Sequence, residues 1–440
     1  MPSAAKETAQ SSAAQGGPAA PEDIAALVTD PHTSATPQKA HEAFAWLREN
    51  QPVSKIAQPG FDPFWIVTRH ADIMEVERQP DIFRNGDRAT VLMASDAVKV
   101  VEEVVGSPNM TRSLVSMDGA DHRLFRGLTQ KWFSPANVRR LNDKIRQIAR
   151  VHVDRMFARG GECDFVADVA LHYPLHVIMD ILGVPEEDEP KMLALTQELF
   201  GAHDPEMGRK AEVMADPRDG ARVFLSVIED FYAYFGKINA DRKLNPRDDL
   251  ATVIAQATAN GAPIAEADAH GYYVLVATAG HDTTSASTAG AIWALAERPE
   301  QLAQVKRDPA LMDALIDEAI RWTTPVRHFM RAATRDYELG SASIRAGDWL
   351  MLAYLSANRD EAVFNDPFEF RLDRGAPKHL AFGFGAHVCL GQHLARLEMR
   401  CLLEELLPRL ETLELTGEPA WSHSTFVTGP KRLPIRFTGQ

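Results

Sequence analysis

The chain has 440 residues, 45% hydrophobic and 25% charged, enough to bury one large core or two to three small ones. Its formal net charge of -14 excludes a general nucleic-acid binder, which needs a basic surface, and says little about a small uncharged substrate. The three cysteines, Cys163, Cys389 and Cys401, are odd in number and not spaced as a zinc site, so a reducing compartment is expected.

Residues 1–20 are rich in Ala, Ser, Gln and Gly without an apolar core, and are expected to be a disordered leader ahead of one domain, 21–440. His41–Glu49 predicts a short helix, Phe64–Thr68 a strand and Ala71–Arg78 a helix. Arg84–Ser116 has no sustained period and reads as a mobile loop with a short helix, of which Val91–Val104 closes a pocket. Helical periodicity then covers Ala120–Lys131, Val138–Arg159, Tyr173–Leu182, Glu187–Leu199 and Val223–Asp241, with Asp204–Asp219 as a surface connection. Ala265–Glu297 predicts one long helix. Its run Gly271–Ala296 is long enough to raise a membrane span, but His281-Asp282 and many hydroxyls near its middle favour a buried helix. Without an anchor, the protein is expected in the cytoplasm. Leu311–Trp322 is a shorter helix stopped by Pro325. Trp349–Tyr354 is strand-like, Gln392–Leu407 helical, and Leu433–Phe437 a terminal strand. The fold class is therefore mainly α with a minor β region.

Three places carry chemistry. Cys389 stands in Phe382-Gly-Phe-Gly-Ala-His-Val-Cys-Leu-Gly391, where Gly383, Gly385 and Gly391 let the backbone turn and approach a flat ligand. A helix starting just beyond it would aim its amides at the sulfur. The residues alone leave two readings, a buried iron ligand or a structural cysteine in a glycine-rich turn. In the long helix, Ala279-Gly-His-Asp-Thr-Thr284 is poor in helix propensity, so the helix is expected to open and present Asp282 and Thr283 to a buried pocket as a proton-handling pair. The alternative is a kinked core helix with satisfied hydroxyls. Glu318 and Arg321 share a helical face, a spacing that on most surfaces is only a solvated pair.

The spacing Phe-x-x-Gly-x-x-x-Cys-x-Gly resembles the haem-binding signature of the cytochromes P450. That resemblance implies a single-domain, triangular-prism fold with a long central helix over the haem. It also implies Cys389 as proximal ligand of haem b (iron protoporphyrin IX). Phe382, Gly383, Gly391 and Ala279 would lie against the macrocycle, and His122, Arg126, Arg331 and His387 would bind its propionates. The segment Asp282-Thr283 resembles the family's oxygen-activation motif, which manages protons there, and peroxide-driven relatives commonly replace it. Glu318 and Arg321 resemble the family's Glu-x-x-Arg pair, with Arg374 as third member of a structural network. Trp132-Phe-Ser-Pro also resembles the family, and Tyr173-Pro-Leu-His-Val-Ile, Thr278-Ala-Gly-His-Asp-Thr-Thr and Cys389-Leu-Gly-Gln-His-Leu-Ala resemble the soluble bacterial branch containing the α-terpineol hydroxylase.

The resemblance implies a monooxygenase that takes electrons from an iron–sulfur ferredoxin with its reductase. A peroxide-driven oxidase and a haem sensor or carrier without turnover are the alternatives. Leu275, Val276, Thr278, Val326, Phe329, Phe426 and Val427 are expected to line an apolar site for a terpenoid or aromatic hydrocarbon. Arg123, Arg126, Lys131, Arg139 and Arg396 are expected to form a basic docking face on an otherwise acidic, unanchored monomer.

Overall fold

A computed structural model describes residues 17–207, 216–375 and 378–440. Helices dominate, and a five-stranded sheet forms the smaller region. Its order is Val53–Ile56, Phe64–Val67, Trp349–Ala353, His328–Ala333 and Phe83–Arg84. All neighbours are antiparallel except Phe64–Val67 and Trp349–Ala353, which run parallel with Leu350 beside Trp65. In a strand, residues two apart share a face. That alternation sets Phe329 and Arg331 on one side of His328–Ala333, and both reach the same cavity.

The main core is helical. The helix Asp282–Glu297 runs through it, buried on nearly every side, including Ala286, Ala289, Ala291 and Ile292. Small residues let neighbours approach. A Cβ on Gly290 would lie 2.1 Å from Thr323 Oγ1 on the helix Met312–Thr323. The helix Gln392–Leu406 packs on the helix Asn142–Phe157, joining Leu402, Leu403 and Leu406 to Ile145, Ile148 and Ala149. No helix among the described residues is long and apolar enough to cross a membrane.

Several expectations need correction. Most of the leader, residues 1–16, lies outside the described residues, but Pro18–Ala20 runs beside Lys55, whose N–H donates to Pro18 O at 2.9 Å. Backbone pairing to a strand overrides the low apolar content there. Ala265–Glu297 is two helices, Glu266–Ala279 and Asp282–Glu297. Val138–Arg159 is also divided, by Leu141 between Pro135–Arg140 and Asn142–Phe157. Asp204 is not on a surface connection: it is fully buried, accepts the His423 N–H at 3.0 Å and pairs with Lys431 at 2.9 Å. The rest of that stretch includes 208–215, outside the described residues. Within Arg84–Ser116 the helix Ser95–Val105 packs Ala97, Val100 and Val101 on Ala221 and Leu225 of the helix Pro217–Leu244.

Candidate active site

The loop before Cys389 is bent under the helix His70–Glu77. Gly383 and Gly385 adopt φ of +67° and +70°, which side chains disfavour. A Cβ on Gly385 would also sit 2.5 Å from Glu77 O, so only glycine permits that approach. The Cys389 N–H donates to Phe382 O at 2.8 Å, closing the turn. The backbone N–H groups of Gly391 and Gln392 donate to the sulfur. Burial pushes the Cys389 thiol up, against the pull of those amides and of Arg126 and Arg396. A metal cation at the sulfur would add to the pull of those amides and arginines toward the thiolate.

Cys389 faces a cavity of about 240 Å³. Of the apolar residues nominated from sequence, Leu275, Val276, Val326 and Phe329 line it, and so do Ala279, Phe382, Gly383 and Gly391. Thr278, Phe426 and Val427 do not. The Thr278 hydroxyl turns back to Val274 O at 2.8 Å, as threonine does inside a helix. Phe426 packs edge-to-face on Phe329, ring centroids 5.3 Å apart, and Val427 bridges the Val326 backbone. Val91–Val104 is absent from the lining; of the Arg84–Ser116 stretch, Asn85, Leu114 and Val115 are in it.

At one side the cavity meets His122, Arg126, Arg331 and His387. Arg126 Nη2 donates to Val388 O at 2.7 Å, joining the helix Gly119–Gln130 to the cysteine loop. The rings of His122 and His387 lie 4.0 Å apart. Burial, then Arg331, pushes His387 down to about 2, and burial and Arg126 lower His122. The two histidines are thus neutral donors rather than cations, and the arginines carry the charge. Arg331 donates to Glu77 Oε1 at 3.2 Å, and the Tyr354 hydroxyl donates to the same oxygen at 2.6 Å. Burial raises Glu77, which also accepts the Phe384 N–H. Glu77 was missed in the sequence because a single acid at a helix end carries no signal.

The helix break lies against this cavity. A Cβ on Gly280 would meet Ile178 Cγ1 at 2.8 Å, so the glycine allows the helix His172–Leu182 to pack closely. The Thr283 hydroxyl, in the cavity wall, donates to Ala279 O at 2.9 Å. Asp282 is not in the wall. It lies behind, with Oδ2 3.5 Å from His281 Nδ1, too long for a good hydrogen bond but close enough for an ion pair. His281 is fully buried, Nε2 2.8 Å from Leu171 O and Nδ1 3.2 Å from Thr196 Oγ1. Burial lowers its pKa, but Asp282 and the Leu171 carbonyl outweigh that and raise it. The expected acid–alcohol pair is therefore split, with the alcohol in the wall and the acid backed by an imidazole.

Behind the cysteine loop, Arg321 gives Nε and Nη2 to Glu318 at 2.7 and 2.8 Å, and Nη1 to the carbonyls of Asn358 and Pro367. Glu318 also takes Arg374 Nε and the Arg371 N–H, each at 2.9 Å. Asn358 then accepts the Leu380 N–H at 2.7 Å, passing this order to the loop before the cysteine. Of the docking residues, Arg123, Lys131 and Arg139 are exposed and have no ion pair among the described residues. Arg396 is instead engaged, with Nε 2.8 Å from Asp317 and its guanidinium over the Phe382 ring at 4.6 Å. Arg126 is likewise turned inward.

The Cytochrome P450 family model matches residues 88–437. Cytochrome P450-terp of a Pseudomonas species is 47% identical over 419 residues, 95% of this chain and 98% of that protein. The linalool 8-monooxygenase of Pseudomonas putida is 32% identical, over 91% of this chain and 96% of its own. The crystal structure of CYP108D1 from Novosphingobium aromaticivorans superposes with a TM-score of 0.89 at 45% identity, covering 96% of this chain and all of that one. The half-buried cysteine in its glycine loop, the broken helix over one cavity and this likeness along the chain give one conclusion: the chain belongs to the cytochrome P450 family of haem-thiolate monooxygenases.

Proposed function

We propose that the cavity holds haem b on Cys389 and that the enzyme hydroxylates a small apolar molecule, a terpenoid such as a monoterpene alcohol or an aromatic hydrocarbon. In balance, a carbon–hydrogen bond, dioxygen, two electrons and two protons give an alcohol and water. The supporting observation is that one apolar cavity is shared by a sulfur held by two amides and a threonine hydroxyl at a helix break. The residues fit the group. Arg126 and Arg331, with two neutral histidine donors, suit two carboxylates, and the absence of a Cβ at Gly391 leaves room beside the sulfur. When bound, haem supplies the redox chemistry of dioxygen.

The chain's own residues do the rest. Leu275, Val276, Val326 and Phe329 exclude water and hold the substrate by shape. Thr283 holds a proton at Oγ1 in the wall, and the His281–Asp282 pair holds another behind it. The named substrate of the linalool relative favours the terpenoid reading. A titration of the haem-loaded protein with monoterpene alcohols, alkylbenzenes and fused aromatics tests it. Monoterpene alcohols are expected to shift the haem absorption at the lowest concentration; a silent spectrum across the panel would reject the substrate class.

Thr283→Ala removes the wall hydroxyl and leaves the pocket apolar. Product per electron pair is expected to fall about tenfold, less than the ~10²–10⁴ of a complete acid–base loss because Asp282 remains. Substrate affinity should stay unchanged, and electrons should appear as peroxide. Equal coupling in wild type and variant would contradict the role.

Electrons are proposed to come from an acidic iron–sulfur ferredoxin with its reductase, docking on Arg123, Lys131 and Arg139 of a cytoplasmic monomer. Reversing Arg123 and Lys131 to Glu is expected to slow ferredoxin-driven reduction about tenfold at low ionic strength and little at high salt, with the substrate-induced spectrum intact. A salt-independent rate in both proteins would contradict it.

A further inference from the structure

A second cavity, of about 430 Å³, shares no lining residue with the one at Cys389. It lies between the helix Asp282–Glu297, the end of the helix Met312–Thr323 and the segment 34–41. Three of the seven tryptophans line it. Trp293 stands 5.9 Å from Trp322 and 5.6 Å from Trp421, ring centroid to centroid, so the aromatic faces form one angled wall. Tryptophan, with its large face and a polar edge, is a good surface for a flat ligand.

The same cavity is lined by two buried arginines that form no ion pair among the described residues, although Glu318 is near enough to Arg359 to act on its charge. Arg327 is 8% exposed, and the partner of its guanidinium among the described residues is Ser424 O at 3.3 Å. Arg359 is 3% exposed, gives Nη1 and Nη2 to the carbonyls of Arg321 and Trp322, and leaves Nε without a partner. The neighbouring arginines are compensated, Arg48 by Glu361 and Arg321 by Glu318. Glu297 is the only carboxylate in the described lining, and it is taken by Trp293 Nε1 at 2.7 Å and Arg298 Nη1 at 3.1 Å. His41, also in the lining, is held well below its ordinary pKa by burial and by Arg359 and Arg327, so it adds no charge at neutral pH. Buried cations are normally paired, because an unpaired one forfeits its hydration. Burial lowers Arg327 only to about 10, so it stays charged at neutral pH, whereas burial and then Arg321 hold Arg359 well below its ordinary value, against the pull of Glu318. Thr323 Oγ1, another lining group, is buried without a hydrogen-bond partner.

We propose that this cavity is a binding site for a small aromatic carboxylate, its anion met by Arg327 and Arg359 and its ring placed against Trp293, Trp322 and Trp421. Two guanidiniums suit a carboxylate, and the indoles reward a ring over a bare inorganic anion. The site is separate from the haem cavity, so occupancy should leave the haem absorption unshifted.

Equilibrium dialysis of the haem-loaded protein with radiolabelled 1-naphthoate tests this. One saturable site is expected, with an unshifted haem spectrum. The affinity should fall at least about tenfold in Arg327→Gln and in Trp421→Ala, the loss typical of a buried charge or aromatic anchor. Neutral 1-naphthalenemethanol should fail to displace the label, and inorganic phosphate should compete only weakly. Should Arg327→Gln not fold, Trp421→Ala decides, because Trp421 is half-buried on a short strand. Absence of saturable binding, equal affinity in the folded variants, phosphate competing as well as naphthoate, or a haem shift that tracks binding would each overturn the proposal.

Discussion

Cys389→Ala is expected to yield a folded protein that gives no thiolate-type band in the carbon monoxide difference spectrum. The thiol makes little of the core, and its backbone N–H to Phe382 O is kept by any residue. The stability loss should therefore be small, about 1 kcal/mol. The chemical loss should be complete. Two amides and two nearby arginines are arranged to favour negative charge on one sulfur atom, and alanine has no atom to receive it. Haem retained through Arg126, Arg331, His122 and His387 alone would lack thiolate ligation. A thiolate-type band surviving in the variant would show that another residue holds the iron.

Glu318→Ala should be the most destabilising single change outside the haem cavity. It removes four hydrogen bonds at 2.7–2.9 Å and leaves Arg321, which has no exposure, without its anion. Breaking a buried pair in this way costs about 3–5 kcal/mol. That is a large share of the 5–15 kcal/mol by which domains are usually stable, so little soluble protein is expected. Because the network reaches Leu380 through Asn358, the haem-thiolate spectrum should weaken before the helices melt. Chemical denaturation followed by far-ultraviolet dichroism and by the haem band checks both parts. A loss below about 1 kcal/mol would show that the network is dispensable.

The cysteine loop and the Glu318–Arg321 pair were legible because spacing and glycine content constrain them strongly. Gly383 and Gly385 need positive φ, and no other residue does that cheaply. The helix break was legible in Gly280 and the threonines, but not what each side chain would face. Asp282 turns from the cavity because His281, unnoticed as a partner, is buried behind it. Thr278 was misplaced for a similar reason: where the second half of a helix is buried on nearly every face, as over Gly271–Thr278, hydrophobicity does not mark the side that meets the cavity. Glu77 and the Arg327–Arg359 cluster come from segments far apart in the chain, and no short-range pattern announces such meetings. The Arg396 ion pair was not legible, because a positive residue near the cysteine says nothing of Asp317, its partner.

The most direct test of the central claim is isotope incorporation. The haem-loaded protein, supplied with a ferredoxin system, a monoterpene alcohol that shifts its haem spectrum and ¹⁸O-labelled dioxygen, should form a hydroxylated product carrying one labelled oxygen atom, with the second appearing in water. Product labelled from solvent water, or a bound substrate that is never hydroxylated while electrons are consumed, would contradict a monooxygenase acting on this class of molecule.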